Sequence, residues 1–180
     1  MKRYSVVLPF VCAMLVAAVA SAQDKGRVGL AMGAPTAVAV VWHVSEAVAI
    51  RPEISIARSA SSTTVNGLTS TSTSLATSVA VSGLVYGAAH DNLRTYFSPA
   101  FTYARTSVSS TSNGVKTTSG PNPLYGVRAS AGAEYALGHR FSAYGEVGIN
   151  YSHLRTTIAP AVATNNAITV RSAVGAILYF

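Results

Sequence analysis

Hydrophobic and polar residues alternate with period two along most of the chain, the pattern of half-buried β-strands. Between Val48 and Arg58 one phase reads Val48, Ile50, Pro52, Ile54, Ile56, and the other Ala49, Arg51, Glu53, Ser55, Ala57. Between Phe141 and Ser152 the apolar phase is Phe141, Ala143, Gly145, Val147, Ile149, Tyr151, against Ser142, Tyr144, Glu146, Gly148, Asn150, Ser152. The last residues repeat it: Val170, Ser172, Val174, Ala176, Leu178 and Phe180 face one way, and Thr169, Arg171, Ala173, Gly175, Ile177 and Tyr179 the other. Eight such segments are predicted, over 27–34, 36–45, 47–58, 74–88, 93–107, 124–137, 140–154 and 168–180.

The connections alternate in character. Ser45-Glu46, His90-Asp91-Asn92 and Gly138-His139 read as tight turns, whereas Ser59–Thr73, Ser109–Pro123 and Thr156–Ala167 read as long polar loops. Only the hairpin around Ala34-Pro35 is short on the long-loop side. An even number of strands with short turns at one end and long loops at the other predicts an all-β, eight-stranded antiparallel up-and-down transmembrane barrel. The soluble alternative is a lipocalin-like barrel with its apolar face turned inward.

Aromatics of the apolar phase favour the membrane. Trp42, Tyr135, Phe141 and Phe180 fall at the short-turn end and Tyr103, Tyr125 and Tyr151 towards the long loops, as expected of two belts at headgroup level. The polar phase is charge-balanced: Arg51, Arg128 and Arg171 stand against Glu53, Glu134 and Glu146. A narrow barrel must pair its interior charges, since an unpaired buried ion costs several kcal/mol.

The first twenty-two residues read differently. Met1-Lys2-Arg3 is a basic start, Val6 to Val19 an apolar run, and Ala20-Ser21-Ala22 a small-x-small cleavage pattern, together predicting a cleaved signal peptide over 1–22 and a barrel domain over 23–180. No later apolar run reaches the length of a membrane helix; the longest clean one is Ala37 to Trp42. Cys12, the one cysteine, lies within the leader, so the exported domain is expected to have no disulfide or thiolate metal site.

Of 180 residues only 11% are charged and 49% hydrophobic, with 13 Lys+Arg against 6 Asp+Glu. The basic residues are scattered singly, which argues against a nucleic-acid partner. His43, His90, His139 and His153 are isolated and read as turn or rim residues; no metal site, cofactor or catalytic residue is expected. Glu53 with Glu146 resembles a carboxylate pair, but three lumenal arginines make a salt-bridge plug the better reading. Eight strands leave room for little more than side chains, and Tyr86, Tyr96, Tyr144 and Tyr179 add bulk near the short-turn half, so no diffusion pore is expected.

Ile50-Arg51-Pro52-Glu53, the run Phe141 to Gly148 and the closing Ala176-Ile177-Leu178-Tyr179-Phe180 resemble the small outer-membrane β-barrel proteins of the OmpA/OmpX-like superfamily. The resemblance implies a barrel with both ends in the periplasm, long loops outside the cell, and a C-terminal signal for the barrel-assembly machinery carried by Phe180, Leu178 and Ala176. The expected function is an integral outer-membrane protein with a plugged lumen, acting structurally or through its Ser/Thr-rich loops; the alternatives are a narrow channel and a lipid-directed enzyme. It is expected to be a monomer whose extracellular partner is not specified. Arg58, Arg105, Lys116 and Arg155 near the long-loop end would suit lipopolysaccharide phosphates. Four features sit badly with regular strands: Pro52 and Pro99 within them, the feeble outward row Ala129, Ala131, Ala133, the ambiguous phase of 74–88, and the short first loop.

Overall fold

The structure, a computed structural model, describes residues 25–35, 37–65, 68–112, 114–158 and 161–180; the side chains of 68, 88, 120, 121 and 155–163 lie outside what is described, as does the leader. Eight strands follow in chain order: β1 (Val28–Ala34), β2 (Ala37–His43), β3 (Val48–Val65), β4 (Leu68–His90), β5 (Leu93–Ser112), β6 (Val115–Ala136), β7 (Phe141–Ile158) and β8 (Ala161–Tyr179). Each pairs antiparallel with its neighbour, and β8 pairs with β1 to close the barrel. Along β1 and β2 this closure gives the wall backbone partners on both sides, as strands crossing a bilayer require.

Alternation then decides what faces out. Ile50, Ile54, Val79, Val81, Phe97, Phe101, Val127, Val147 and Ile149 are all exposed on the outer surface, while Ala49, Arg51, Ser82, Ser98, Arg128 and Glu146 are buried inside. The fourth strand resolves cleanly: Leu84 and Tyr86 point into the lumen at 2% and 6% exposure, and Val85 outward at 49%. The alanine row of β6 does face outward, flanked in register by Phe97 on β5 and by Val147 and Ile149 on β7. Larger neighbours therefore supply the lipid surface that the alanines lack.

Tyr125 and Tyr135 lie ten residues apart on β6, as do Phe141 and Tyr151 on β7. At about 3.3 Å per residue and a tilt of about 40°, that separation spans about 25 Å along the barrel axis, the height of an outer-membrane apolar band.

Both prolines remain within strands without a bulge. Pairing skips from Ala39–Glu53 to Trp42–Ile50 opposite Pro52, and from Ser82–Ala100 to Val85–Phe97 opposite Pro99, with register kept on both sides. Each proline thus opens a gap in one ladder only and stays paired in the other, with Val81 and with Ala129 respectively. Bulges occur elsewhere, between Tyr86 and Ala89 and between Thr106 and Val108. The first lies beside the β4–β5 turn, where Asp91 takes left-handed backbone (φ 54°).

The polar stretches expected as loops are largely strand. β3 and β4 stay paired to Val65–Leu68, β4 and β5 to Ser70–Ser112, and β5 and β6 to Ser112–Val115, so four strands continue as a sheet beyond the aromatic belt. β7 and β8 project as a separate hairpin, because β6–β7 pairing ends at Leu124–Leu154. Thr favours extended backbone, and hydroxyls meet across the ladder at Ser55–Ser78 (2.6 Å), Ser59–Ser74 (2.8 Å) and Thr64–Thr69 (3.0 Å). By contrast β1 and β2 have only seven residues each, and their pairing with the flanking strands ends at Ala34–Val174 and Val38–Ile54. The wall is therefore notched between β3 and β8.

Replacing Val147 by Arg puts a charge at mid-band on the lipid face. It is expected to cost about 2–4 kcal/mol in equilibrium unfolding from lipid vesicles; an unchanged stability would mean that the faces are assigned the wrong way round.

Candidate functional site: the lumenal plug

Among the described residues, the lumenal polar side chains form two stacked layers. In the upper layer Arg51 Nη1 donates to Glu146 Oε1 at 2.6 Å, and Arg128 Nη1 donates to Glu53 Oε1 at 2.9 Å. Arg51 Nε stands 3.7 Å from Glu53 Oε2, which links the two pairs, and Arg128 Nη2 also donates to Ser82 Oγ at 3.1 Å. Tyr96 adds a phenol hydrogen bond to Glu146 Oε1 at 2.9 Å. Strand alternation places these residues: β3 carries Arg51 and Glu53, β6 carries Arg128, and β7 carries Glu146, all in the inward phase.

Two of the three lumenal acids thus meet the arginines as charge balance suggests. Glu134 does not join them. It sits in the lower layer, where Tyr86 and Tyr179 donate to its two oxygens at 2.9 Å each. The reason is register: Glu134 pairs with Tyr144 and Arg94, nearer the short-turn end than Arg128 on the same strand. Two phenols satisfy a buried carboxylate there, and charge-assisted hydrogen bonds of this kind are stronger than neutral ones.

His43, expected at a turn or rim, is instead buried between Tyr86 and Tyr179, its ring stacked on Tyr86 at 5.4 Å between centroids. Its Nε2 lies 3.2 Å from the Tyr179 hydroxyl. That hydroxyl has one proton, already directed at Glu134, so His43 Nε2 donates to it. Arg27 and Arg94 cover this layer from below, 4.0 Å from the Tyr179 ring centroid and 4.5 Å from that of Tyr86, at favourable cation–π distances. Arg27 also donates to the His139 carbonyl and Arg94 to that of Glu46. Beneath them a cavity of about 520 Å³, lined in part by Glu46, Asp91 and Ser142, opens at the short-turn mouth.

Glycines seat the tyrosines, and the strand pattern alone gives them no role. The ring of Tyr144 lies across Gly175 and Gly33, paired residues of β8 and β1; an added side-chain carbon would come within 2.7 Å of the ring at Gly175 and within 2.6 Å of the hydroxyl at Gly33. Tyr96 likewise lies over Gly132, its pairing partner, with 2.6 Å to the ring. Inward glycine opposite inward tyrosine is the signal that finds them, once register is known.

The residues expected at the outer rim separate. Arg58 and Arg105 are exposed on β3 and β5, and Arg105 Nε donates to Tyr103 OH at 2.5 Å. Lys116 lies instead at the tip of the β5–β6 hairpin, opposite Thr111, because that hairpin is strand rather than loop. Arg155 pairs with Thr164 on β8, but its side chain is outside the described residues. Phe180, Leu178 and Ala176 share the outward phase at the end of β8.

Changing Glu146 to Gln strands Arg51 in the lumen and is expected to cost about 3–5 kcal/mol of unfolding free energy. Removing Arg51 as well is expected to restore part of that loss, a coupling of about 0.5–3 kcal/mol in a double-mutant cycle. Additive losses would show that the two charges do not depend on each other.

No protein-family model and no curated protein sequence matches the chain. Among solved structures it is similar to a major outer membrane protein from Thermus thermophilus, with TM-score 0.59 and 12% identity over 86% of this chain and 98% of that one. It is also similar to CarO of Acinetobacter baumannii, with TM-score 0.48 and 14% identity over 87% and 98%. The chain has the fold of the small eight-stranded outer-membrane β-barrels.

Proposed function

We propose that the chain is an integral outer-membrane barrel with a sealed lumen, whose work is done on its outer surface rather than by transport or catalysis. The observation that supports this reading is the succession of hydrogen-bonded side-chain layers across the lumen. The arginine–carboxylate layer and the tyrosine–histidine layer follow one another along the axis, and their members are bound to each other across the lumen. Opening a path would strip hydrogen-bond partners from buried ions, which is strongly unfavourable.

Outside, the four-stranded Ser/Thr sheet offers neutral hydroxyls on a rigid support, a surface suited to polar partners of the cell exterior. Arg58 and Arg105, exposed beyond the tyrosine belt, suit the phosphates of lipopolysaccharide. The outward aromatic and aliphatic end of β8 suits recognition by the barrel-assembly machinery before closure against β1. Pairing of β8 with β1 closes the wall and confines open edges to the notch above Ala34–Val174 and Val38–Ile54, which favours a monomer.

Reconstituted in planar bilayers, the protein is expected to give no steady conductance steps; reproducible steps of one size would overturn the plug and favour the narrow channel. A variant in which residues 60–73 are replaced by Asn-Gly, which keeps Ser59 opposite Ser74, is expected to keep its heat-dependent shift on electrophoresis and to remain silent in the bilayer. Loss of the folded form would show that the outer sheet is needed to hold the barrel together.

A further inference from the structure

Among the described residues, the upper plug layer carries more cations than anions. Arg51, Arg128 and Arg171 converge on two carboxylates, Glu53 and Glu146. The third arginine is placed unlike the other two. Side chains of Arg51 and Arg128 are 4% and 1% exposed, whereas that of Arg171 is 27% exposed. Its ion pair is a single approach of 3.7 Å to Glu53 Oε1, an oxygen that Arg128 already holds at 2.9 Å. A guanidinium has five N–H donors, and this contact uses little of that capacity. Glu134, which would even the count, is committed to the tyrosine layer at the other end of the plug.

Location gives the surplus charge an access route. On β8, Arg171 lies three residues outward of Val174, the last residue paired with β1, so it stands at the foot of the notch in the wall. Asn150 on β7 and Thr169 on β8 are register partners on the same inward phase, one step further out. A partly exposed guanidinium, an amide and a hydroxyl therefore follow one another on the inward phase of β7 and β8 at the outer side of the charged layer.

We propose that Arg171, with Asn150 and Thr169, forms a binding site for a phosphate-bearing anion that enters from the cell exterior. The anion supplies the negative charge that the layer lacks, and guanidinium–phosphate pairs are among the stronger charge-assisted contacts. The same chemistry has two sources: free phosphate in the medium, or the headgroup phosphate of an outer-leaflet lipid reaching through the notch. The site lies above the plug on which the functional reading rests, and a binding measurement reads it whether or not the barrel conducts.

The test is calorimetric titration of the full folded chain in octyl glucoside with sodium phosphate at fixed ionic strength. Wild type is expected to bind saturably. Arg171→Gln is expected to weaken binding by at least about tenfold, the scale of a lost charged hydrogen bond. Asn150→Asp, which adds the missing carboxylate, is expected to do the same while keeping the fold, so it carries the test if Arg171→Gln fails to fold. Arg140→Gln, exposed at the short-turn end, is expected to bind as wild type does. Repeating the titration in phosphatidylcholine vesicles with and without phosphatidic acid separates the sources: competition by the acidic lipid assigns a lipid headgroup, and its absence assigns the free anion. No saturable binding to wild type, or wild-type binding by the folded Arg171→Gln and Asn150→Asp variants, would overturn the proposal.

Discussion

Ions walled into the centre of a barrel, and apolar side chains turned to its outside, are two halves of one constraint. A strand alternates its side chains between faces whatever their character, so a wall that shows valine, isoleucine and phenylalanine to lipid must send every second residue inward. In eight strands those inward residues have nowhere to go but each other. The contact between Arg51 and Glu146, 2.6 Å long and across the lumen from β3 to β7, is where this becomes a requirement. Without it, two buried charges would face a space too narrow to hydrate them. The phenols of Tyr86, Tyr96 and Tyr179 extend the same solution, each completing a carboxylate that another group already holds.

The protein divides along its axis by chemistry. Between the aromatic belts the outward residues are mainly aliphatic or aromatic, and the inward ones set tyrosines and charged groups against serine, alanine and glycine. Beyond the outer belt both faces of β3 to β6 turn to Ser and Thr, and the strands go on pairing without a core. Cross-strand hydroxyl contacts and the β preference of threonine replace burial there. The seven-residue strands β1 and β2 interrupt this outer continuation. They leave β8 without a partner on its β1 side at the level of Arg171, so the asymmetry of the rim and the asymmetry of charge in the lumen meet at one place.

Much of this is legible in the order of residues. Period two locates all eight strands, and the inward phase names every charged member of the upper layer, because alternation is local and needs no knowledge of neighbours. What sequence does not supply is height. Glu134 shares the phase of Arg128 but stands too far along β6 to meet the arginines, and only register reveals that Tyr86 and Tyr179 are its partners. His43 departs from expectation for the same reason: nearness to a turn in sequence does not exclude a lumenal position at strand end. The Ser/Thr stretches read as loops because polarity there does not report on hydrogen bonding; both faces of a projecting sheet are wet. Pro52 and Pro99 look like breaks in the wall, yet a strand in a barrel has two ladders, and loss of a donor disturbs only one.

Trp42 allows the facing of the whole wall to be tested with the unaltered chain, since it is the protein's one tryptophan and lies exposed in the lower aromatic belt. Its fluorescence should be measured in vesicles of lipids brominated at successive depths, with aqueous iodide as the opposing quencher. The outward-apolar wall predicts strongest quenching by bromines near the headgroup boundary and little by iodide. Efficient iodide quenching with no response to brominated lipid would place the belt in water and contradict the account.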